Sequence, residues 1–301
     1  MFFPNDAYAE FLRRRSGRRV YLKPYLGNSG DGLIRMGSEL LLKQLNLIEV
    51  VNPAKADIVL WPGGNPTMWP CNLTGWEECW RCWPDAEFVV GPATFQESGI
   101  DWARMLRDAK SRIGGVFARD PASYENLRRA ALPSHIAIGL GHDAAFCLMD
   151  SEWILQHRDA NTSEYVLASF RDDHEAAPFD GPAARAFAGM LPHFIRRRIE
   201  RTLRRRSMER RLELVKRIAG SAQPLVVCDA SLVDFQSFVE CVRRASQVHT
   251  DRLHCMILAG LLNKEVFAYP TAYGKLEAVY EHSMQSWARV EFVGSSADGV
   301  K

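Results

Sequence analysis

The chain has 301 residues, of which 47% are hydrophobic and 25% charged, and its formal net charge is +2. This length allows two domains of about 150 residues each, and the composition is typical of a globular protein. No stretch of the sequence approaches the roughly 20 uninterrupted apolar residues of a membrane span. The N-terminus lacks the basic region and apolar core of a signal peptide, so we expect a cytoplasmic protein.

The cysteine content argues against a fold built on disulfides. Seven is an odd number of cysteines, which is typical of reduced thiols. Cys79 and Cys82 have the spacing of metal ligands, but no second such pair and no nearby histidine completes a four-ligand zinc site. The tryptophans interleaved with them are Trp69, Trp76, Trp80 and Trp83. We therefore predict an apolar loop or cover here, and no metal site.

A strand, a glycine-rich turn and a helix follow one another after an opening helix. Residues 20–23 predict the strand, Gly27–Gly32 the turn, and apolar residues at helical spacing from Leu33 to Leu45 an amphipathic helix. In this layout backbone N–H groups can meet an anion. The spacing matches neither the dinucleotide-binding pattern nor a P-loop, so the turn by itself does not identify a nucleotide site.

Polar residues follow several other predicted strands of the first half. These strands are predicted over residues 47–51, 57–61, 87–90, 114–118 and 135–140. The polar residues are Asn65, the pair Arg119–Asp120 and the pair His142–Asp143. Strands that alternate with helices indicate a mostly parallel α/β sheet, in which ligands bind beyond the carboxyl ends of the strands.

The second half has the same architecture. Residues 151–163 are polar and show no clear period, so we place the domain boundary there and predict domains over 1–155 and 156–301. Strands are predicted over residues 165–171, 224–229, 247–249 and 265–269, and a last helix over 275–288. The sequence therefore predicts two α/β domains.

A strongly basic run lies within the second half. Residues 196–217 contain eleven Arg or Lys and three Glu, a net charge of +8, while the rest of the chain sums to −6. Apolar residues at helical spacing and flanking Pro192 and Gly220 predict a helix over about 193–219. Either this helix is solvated, with its apolar stripe packed on its own domain, or it contacts an anionic membrane surface. Nucleic acid is disfavoured, since aromatic residues and a known binding module are missing from the run.

The most concentrated polar cluster covers residues 249–254. It holds two histidines, an arginine, an aspartate and a threonine directly before an apolar helical pattern. A helix that begins near Arg252 and His254 directs its N–H groups and positive dipole end towards a ligand, which favours an anion. Arginine adds a planar fork, and histidine can transfer a proton. The alternative is that Asp251 pairs with Arg252 and the histidines only cap a turn.

In their order and spacing, these motifs resemble the polysaccharide pyruvyl transferase family. The matching elements are residues 27–31, 57–65, 117–123 and 141–146, the strand that ends at Arg171, and residues 249–260. The Gly-Asn-x-Gly-Asp and Asp-Arg-Leu-His elements are the specific ones, and the remainder is generic α/β sequence. Pro62 stands where relatives usually carry another glycine, and the basic helix is not typical of the family. The resemblance therefore does not identify the acceptor.

The family implies an α/β fold with two Rossmann-like domains facing across a cleft, similar to the GT-B glycosyltransferases. It implies transfer of the pyruvyl group of phosphoenolpyruvate to a sugar diol of an exopolysaccharide or its lipid-linked repeat. The products would be a pyruvate ketal and phosphate. It implies no metal and no cofactor beyond phosphoenolpyruvate as co-substrate, with the N-terminal domain on the acceptor side and the C-terminal domain on the donor side.

Site residues follow from the same resemblance. The implied donor-binding residues are Arg119, Arg252, His254 and Lys275. The implied acceptor-binding residues are Asn28, Asp31, Asn65, His142 and Asp143. The implied catalytic residues are His254, Asp31 and Arg119. His254 would be the phosphate ligand or general acid and Asp31 would orient or deprotonate the hydroxyl, although these two roles are interchangeable at this stage.

Two other functions fit the same sequence. One is a GT-B glycosyltransferase that uses a nucleotide sugar, although the second half shows no obvious acidic residue placed to hold a ribose. The other is a non-catalytic subunit of polysaccharide assembly. The complete set of predicted donor-binding cations argues against the second alternative.

Overall fold

The computed structural model describes residues 6–24, 27–68, 70–96, 101–109, 113–160, 163–171, 193–220, 223–229, 232–272 and 274–294. These residues form two compact units. Unit 1 contains the described residues up to Gln156 together with Ala278–Met284. Unit 2 contains those from His157 to Glu277 and from Gln285 onward.

Unit 1 is built on a six-stranded parallel sheet. Its strands are β1 (Arg19–Leu22), β2 (Ile48–Glu49), β3 (Ile58–Trp61), β4 (Glu87–Ala93), β5 (Ile113–Ala118) and β6 (Ala137–Leu140). They lie in the order β2-β1-β3-β4-β5-β6, so the direction of winding reverses between β1 and β3.

Helices cover both faces of this sheet because its strands are apolar on both sides. The helices are α1 (Ala7–Arg13), α2 (Asp31–Gln44), α3 (Pro70–Cys82), α4 (Trp102–Asp108), α5 (Pro121–Arg129) and α6 (Glu152–Asp159). Ile58 and Leu60 share a buried cluster with residues of α1 and α2. Val59 and Trp61, which point the other way, share one with residues of α3, α4 and α5.

Unit 2 is built on a five-stranded parallel sheet. Its strands are β7 (Tyr165–Ser169), β8 (Leu225–Val227), β9 (Ala245–Thr250), β10 (Glu265–Ala268) and β11 (Val290–Phe292), in the order β11-β10-β9-β7-β8. The helices after β7 are α7 (His193–Ala219), α8 (Phe235–Arg244), α9 (Leu253–Leu261) and α10 (Lys275–Ser283). Here the winding reverses between β7 and β9.

The basic run forms α7, over the range that the sequence predicts. In its C-terminal half, Val215 is completely buried and Leu214 nearly so, in a cluster with Val166 and Ala168 of β7. The arginines at positions 204, 205, 206 and 210 are exposed. From Arg204 onward, α7 is therefore a helix with a packed apolar stripe and a solvated basic face. None of the described helices combines the length and the apolar character needed to cross a membrane.

The predicted α/β class is confirmed, because both units contain a parallel sheet covered by helices. One local prediction is wrong: the loop expected around Cys79 is helix α3, in which Cys79 is buried and Cys82 exposed. The range 151–163, in which the sequence places the domain boundary, contains helix α6, and the two units divide after Gln156 within it. Ala278–Met284 belong to unit 1, although the sequence places them in the second domain.

Candidate active site

The strand order indicates where ligands would bind in each unit. In open parallel sheets the crevice forms beyond the carboxyl ends of the two strands at which the winding reverses. In unit 2 these strands are β7 and β9, and in unit 1 they are β1 and β3. The two specific sequence elements lie at these strands. Residues 249–254 begin within the last two residues of β9, and residues 27–31 lie in the segment that follows β1.

In unit 2, Asp251 is a fully buried carboxylate at the end of β9. Its Oδ1 accepts a hydrogen bond of 2.8 Å from the backbone N–H of Arg171, and its Oδ2 accepts one from Nη1 of Arg211 in α7. Burial raises the pKa of Asp251, and the neighbouring Arg211 acts in the opposite direction. The ion-pair partner of Asp251 is thus Arg211, whereas Arg252 forms its ion pair with Asp229.

Arg252 and His254 stand at the start of α9. Arg252 is the N-cap residue, in an extended conformation and without a side-chain hydrogen bond to the helix. Its backbone N–H donates to Thr250 Oγ1 at 2.9 Å, and Thr250 in turn donates to the carbonyl of Ser169 at 2.7 Å. The ends of β7 and β9 are thereby joined beneath the helix terminus. The first turn of α9 presents a positive dipole end close to an arginine and a histidine, which suits an anion.

Lys275 comes from the next loop of the same sheet. It is buried and is the first residue of α10, directly after Gly274, whose φ of +65° favours glycine. This loop follows β10, which pairs with β9 in parallel register. Because parallel strands end at one edge of the sheet, Arg252, His254 and Lys275 follow neighbouring strands at the same edge.

His249 has a structural role instead. Its Nδ1 lies 2.9 Å from the hydroxyl of Tyr269, its Nε2 lies 2.7 Å from Oε1 of Gln247, and its ring stacks on Phe267. Burial lowers its pKa to about 4, so the ring is neutral at physiological pH. Of the two histidines in the motif, His254 is therefore the candidate for chemistry.

In unit 1, the glycine-rich turn is held by Asp31, the first residue of α2. The Oδ2 atom of Asp31 accepts a hydrogen bond of 2.8 Å from the backbone N–H of Asn28, and Asn28 Oδ1 accepts one of 2.8 Å from Gly30. A Cβ atom at position 27 would lie 2.1 Å from Asp31 Oδ2, so any larger residue there would displace the Asp31 carboxylate. Asn28 is exposed and Asp31 is half-buried, which leaves this turn accessible to a ligand.

Asn65 follows the second strand of the unit 1 switch point. It comes after Gly63 and Gly64, which have φ values of +137° and +89° that a residue with a Cβ rarely adopts. Both amide atoms of Asn65 are buried, and neither has a hydrogen-bond partner in the described part of the chain. Leaving buried polar atoms unpaired costs about 1–3 kcal/mol per group, so a ligand that bonds to them would be favoured.

Arg119 and Asp143 form a buried ion pair. Nη1 of Arg119 lies 2.6 Å from Oδ2 of Asp143, and its Nε donates to Thr94 Oγ1 at 2.9 Å. Oδ1 of Asp143 accepts from the backbone N–H of Ala145. The side chains are 2% and 0% exposed, and the hydrogen-bond partners named here all belong to unit 1. This geometry is that of a buried ion pair, and the predicted ligand contacts of both residues stay predictions.

His142 is half-buried and has its partners within unit 1. Its Nδ1 lies 2.8 Å from Ser283 Oγ, and its ring stacks on that of His282 at 4.4 Å between centroids. Burial, reinforced by the charge of His282, lowers the pKa of His142 to about 4. A contact of this neutral ring with an acceptor stays a prediction.

The predicted donor residues thus fall in different units. Arg252, His254 and Lys275 belong to unit 2 and Arg119 to unit 1. Within the described residues, no group of three His, Cys, Asp or Glu side chains is arranged to hold a metal ion. Sequence reasoning missed Arg211, although a signal for it exists. It is spaced three and four residues from Met208 and Val215, on the apolar stripe of the helix.

Comparisons with known proteins agree with the sequence motifs. Residues 10–273 match the family model described as Polysaccharide pyruvyl transferase, so the predicted resemblance is confirmed over nearly the whole chain. Among curated proteins there is no match.

Among solved structures, the chain is similar to a functionally uncharacterized protein from Klebsiella pneumoniae. The identity is 20%, the TM-score is 0.62, and the alignment covers 97% of this chain and 100% of that one. S. aureus MnaA with UDP has 11% identity, a TM-score of 0.40 and coverage of 88% and 86%. Anabaena HepE with UDP and glucose has 12% identity and a TM-score of 0.38, and the alignment covers 84% of this chain and 80% of that one. The first of these likenesses shows a shared fold.

Proposed function

The chain belongs to the polysaccharide pyruvyl transferase family, and we propose that it moves the pyruvyl group of phosphoenolpyruvate onto two hydroxyls of a saccharide. The observation that supports this most is that Arg252 and His254 lie at the start of α9, while Lys275 starts α10, the helix that follows the neighbouring strand β10. Phosphoenolpyruvate carries both a carboxylate and a phosphate, so several cations and a helix N-terminus suit it.

The proposed reaction has two stages. In the first, carbon 3 of phosphoenolpyruvate gains a proton, one sugar hydroxyl loses its proton, and its oxygen bonds to carbon 2. In the second, the bond between carbon 2 and the phosphate oxygen breaks, and the second hydroxyl bonds to carbon 2 as it loses its proton. In the overall reaction the two hydroxyls lose two protons. Carbon 3 gains one as it becomes a methyl group, and the released phosphate takes up the other. The products are a cyclic pyruvate ketal and inorganic phosphate.

Each donor residue has a role in this proposal. Arg252 binds one anionic group through its planar guanidinium, and Lys275 adds a second positive charge. His254, in the first turn of α9, contacts the phosphate or protonates carbon 3. A positioned acid or base contributes roughly two to four powers of ten to the rate. Arg119 is the fourth proposed donor residue, and it is held in a buried ion pair with Asp143.

We place the acceptor at the glycine-rich turn of unit 1. Asn28 is exposed there, and Asp31 presents a half-buried carboxylate that can orient or deprotonate a hydroxyl. Asn65 offers an amide with both a donor and an acceptor, which is the complement of a sugar hydroxyl. His142 and Asp143 are the other proposed acceptor-side residues. Their partners within unit 1 hold their side chains in fixed positions.

Ligand-induced stabilisation tests the proposed donor. We expect phosphoenolpyruvate to raise the melting temperature, because a ligand at 100 times its dissociation constant adds about 2.7 kcal/mol to the free energy of unfolding. Nucleotide sugars are expected to leave the melting temperature unchanged. The measurement is a thermal-shift series with phosphoenolpyruvate, pyruvate, inorganic phosphate and UDP-glucose at matched ionic strength.

The matched control for that series is Arg128→Met. Arg128 is an exposed arginine on α5 whose ion pair with Glu125 lies on the surface, so this change removes one charge without affecting the proposed site. It should keep the response of the wild type. A shift with UDP-glucose and none with phosphoenolpyruvate would instead favour a nucleotide-sugar glycosyltransferase.

We also propose that the basic face of α7 brings the protein to the anionic cytoplasmic face of a membrane. The exposed arginines at 204, 205 and 206 and the local charge of +8 support this. Each basic residue near an anionic surface contributes about 1 kcal/mol, and the attraction fades beyond roughly 8 Å at physiological salt. We therefore expect salt-sensitive co-sedimentation with anionic liposomes that changing these three arginines to Gln reduces strongly.

The matched control removes three arginines elsewhere. Arg13, Arg14 and Arg18 are about half exposed or more, so changing them to Gln alters the net charge equally without affecting α7. This variant should sediment like the wild type. Equal loss in both triple variants would mean that net charge, and not α7, determines the association.

A further inference from the structure

We infer that Arg211 is a positioning residue for the donor site, through which helix α7 sets the conformation of the β9–α9 loop. This inference rests on the proposed function, because it assigns Arg211 an effect on phosphoenolpyruvate binding. Arg211 is 4% exposed on its side chain, although it lies in a helix whose neighbouring arginines at 204, 205, 206 and 210 are exposed. One arginine of the basic run is therefore turned into the core.

The contact partner of Arg211 lies inside the most specific motif of the sequence. Its Nη1 donates to Asp251 Oδ2, while the other oxygen of that carboxylate accepts from the backbone N–H of Arg171, 2.8 Å away. The carboxylate of Asp251 thus joins three segments: the residues just after β7, the C-terminal half of α7 and the loop after β9. The next residue along the chain is Arg252, and His254 is two residues beyond it.

The surroundings of Arg211 make this arrangement rigid. The carbon at the centre of its guanidinium lies 5.3 Å from the centroid of the Phe170 ring, within the range of a cation–π interaction. Phe170 itself packs with Val215 and Tyr269 in the cluster that fixes α7 on the sheet. A guanidinium that is packed on one side and paired on the other defines the position of Asp251 closely.

Loss of Arg211 would leave a buried carboxylate without its ion-pair partner. Burial already raises the pKa of Asp251, and Arg211 is the main group that opposes this. Asp251 would then take up a proton, or the loop would move so that its carboxylate reaches solvent. Either change would displace Arg252 and the start of α9. A displacement of about 1 Å can lower the rate of a catalysed reaction by roughly a hundredfold, and the contacts that bind the donor depend on the same geometry.

The experiment measures phosphoenolpyruvate binding by calorimetry for the wild type and for Arg211→Met, Arg211→Lys and Arg210→Met. All proteins are assayed well below the lowest melting temperature of the set. We expect Arg211→Met to weaken binding by roughly ten- to a hundredfold. Arg211→Lys, which keeps the charge but not the fork, should recover part of that loss. Arg210→Met, the exposed neighbour, should bind like the wild type.

A purely structural role would give a different result. It would lower the melting temperature of Arg211→Met and leave the dissociation constant for phosphoenolpyruvate unchanged, which would overturn the inference. If Arg211→Met does not fold, Asp251→Asn removes the same charge pair and keeps the side-chain shape, and the same loss of binding is expected. Absence of phosphoenolpyruvate binding by the folded wild type would overturn the proposed function, and the inference with it.

Discussion

Replacing His254 with Ala is expected to lower the rate of pyruvyl transfer by about two to four powers of ten. The side chain is half-buried in the first turn of α9, where a group that transfers a proton or binds phosphate would act. Folding should be little affected, since the buried apolar residues of α9 remain in place. The measurement is phosphate release from phosphoenolpyruvate in the presence of candidate saccharides, with mass spectrometry to detect the gain of one pyruvate ketal.

Two further variants sharpen this test. His135→Ala removes an exposed histidine from unit 1 and should retain full activity. His254→Gln keeps a hydrogen-bonding side chain but cannot transfer a proton near neutral pH, so it distinguishes a phosphate ligand from a general acid. Near-normal turnover in His254→Ala would show that another residue carries the chemistry.

Most strands could be predicted from the sequence because a parallel sheet covered on both faces gives short apolar runs. The run Ile58–Trp61 is fully buried, and its four consecutive apolar residues indicate a buried strand in the sequence. Helix α3 was missed although Leu73, Trp76 and Cys79 are buried at helical spacing. The metal-like spacing of the cysteines concealed that helical period.

The return of Ala278–Met284 to unit 1 could not be predicted locally. His282 Nε2 lies 3.1 Å from the carbonyl oxygen of Gly141, and its ring stacks on His142. These contacts join residues 141 and 140 positions apart in the sequence. Hydrophobic period and turn signals report on neighbours along the chain, so a contact of this kind leaves no trace in them.

The location of the candidate sites was predictable for a topological reason. Polar residues that follow parallel strands gather at one edge of the sheet, whatever the order of the strands. Which of these residues are enclosed was not predictable, because that depends on partners from other loops. Arg119 is enclosed by Thr94 and Asp143, and Arg211 by Asp251 and Phe170.

The pair Arg119–Asp143 offers the largest expected effect on stability. Asp143→Leu should lower the free energy of unfolding by about 3–5 kcal/mol, since it leaves the buried guanidinium of Arg119 without its counter-charge. The double change Arg119→Met with Asp143→Leu should recover most of this loss, because apolar groups of similar size can replace a buried ion pair at little net cost. Urea denaturation of the wild type, both single variants and the double variant measures the coupling.

The same cycle distinguishes a structural Arg119 from a donor-binding one. The exposed pair Arg128–Glu125 is the control, and Glu125→Ala should change stability by no more than about 1 kcal/mol. If Arg119 is structural, the double variant regains stability and also binds phosphoenolpyruvate like the wild type. If Arg119 binds the donor, the double variant regains stability but still fails to bind. That second outcome would require the guanidinium to leave Asp143 when phosphoenolpyruvate binds, and it would make the buried pair the resting state of the donor site.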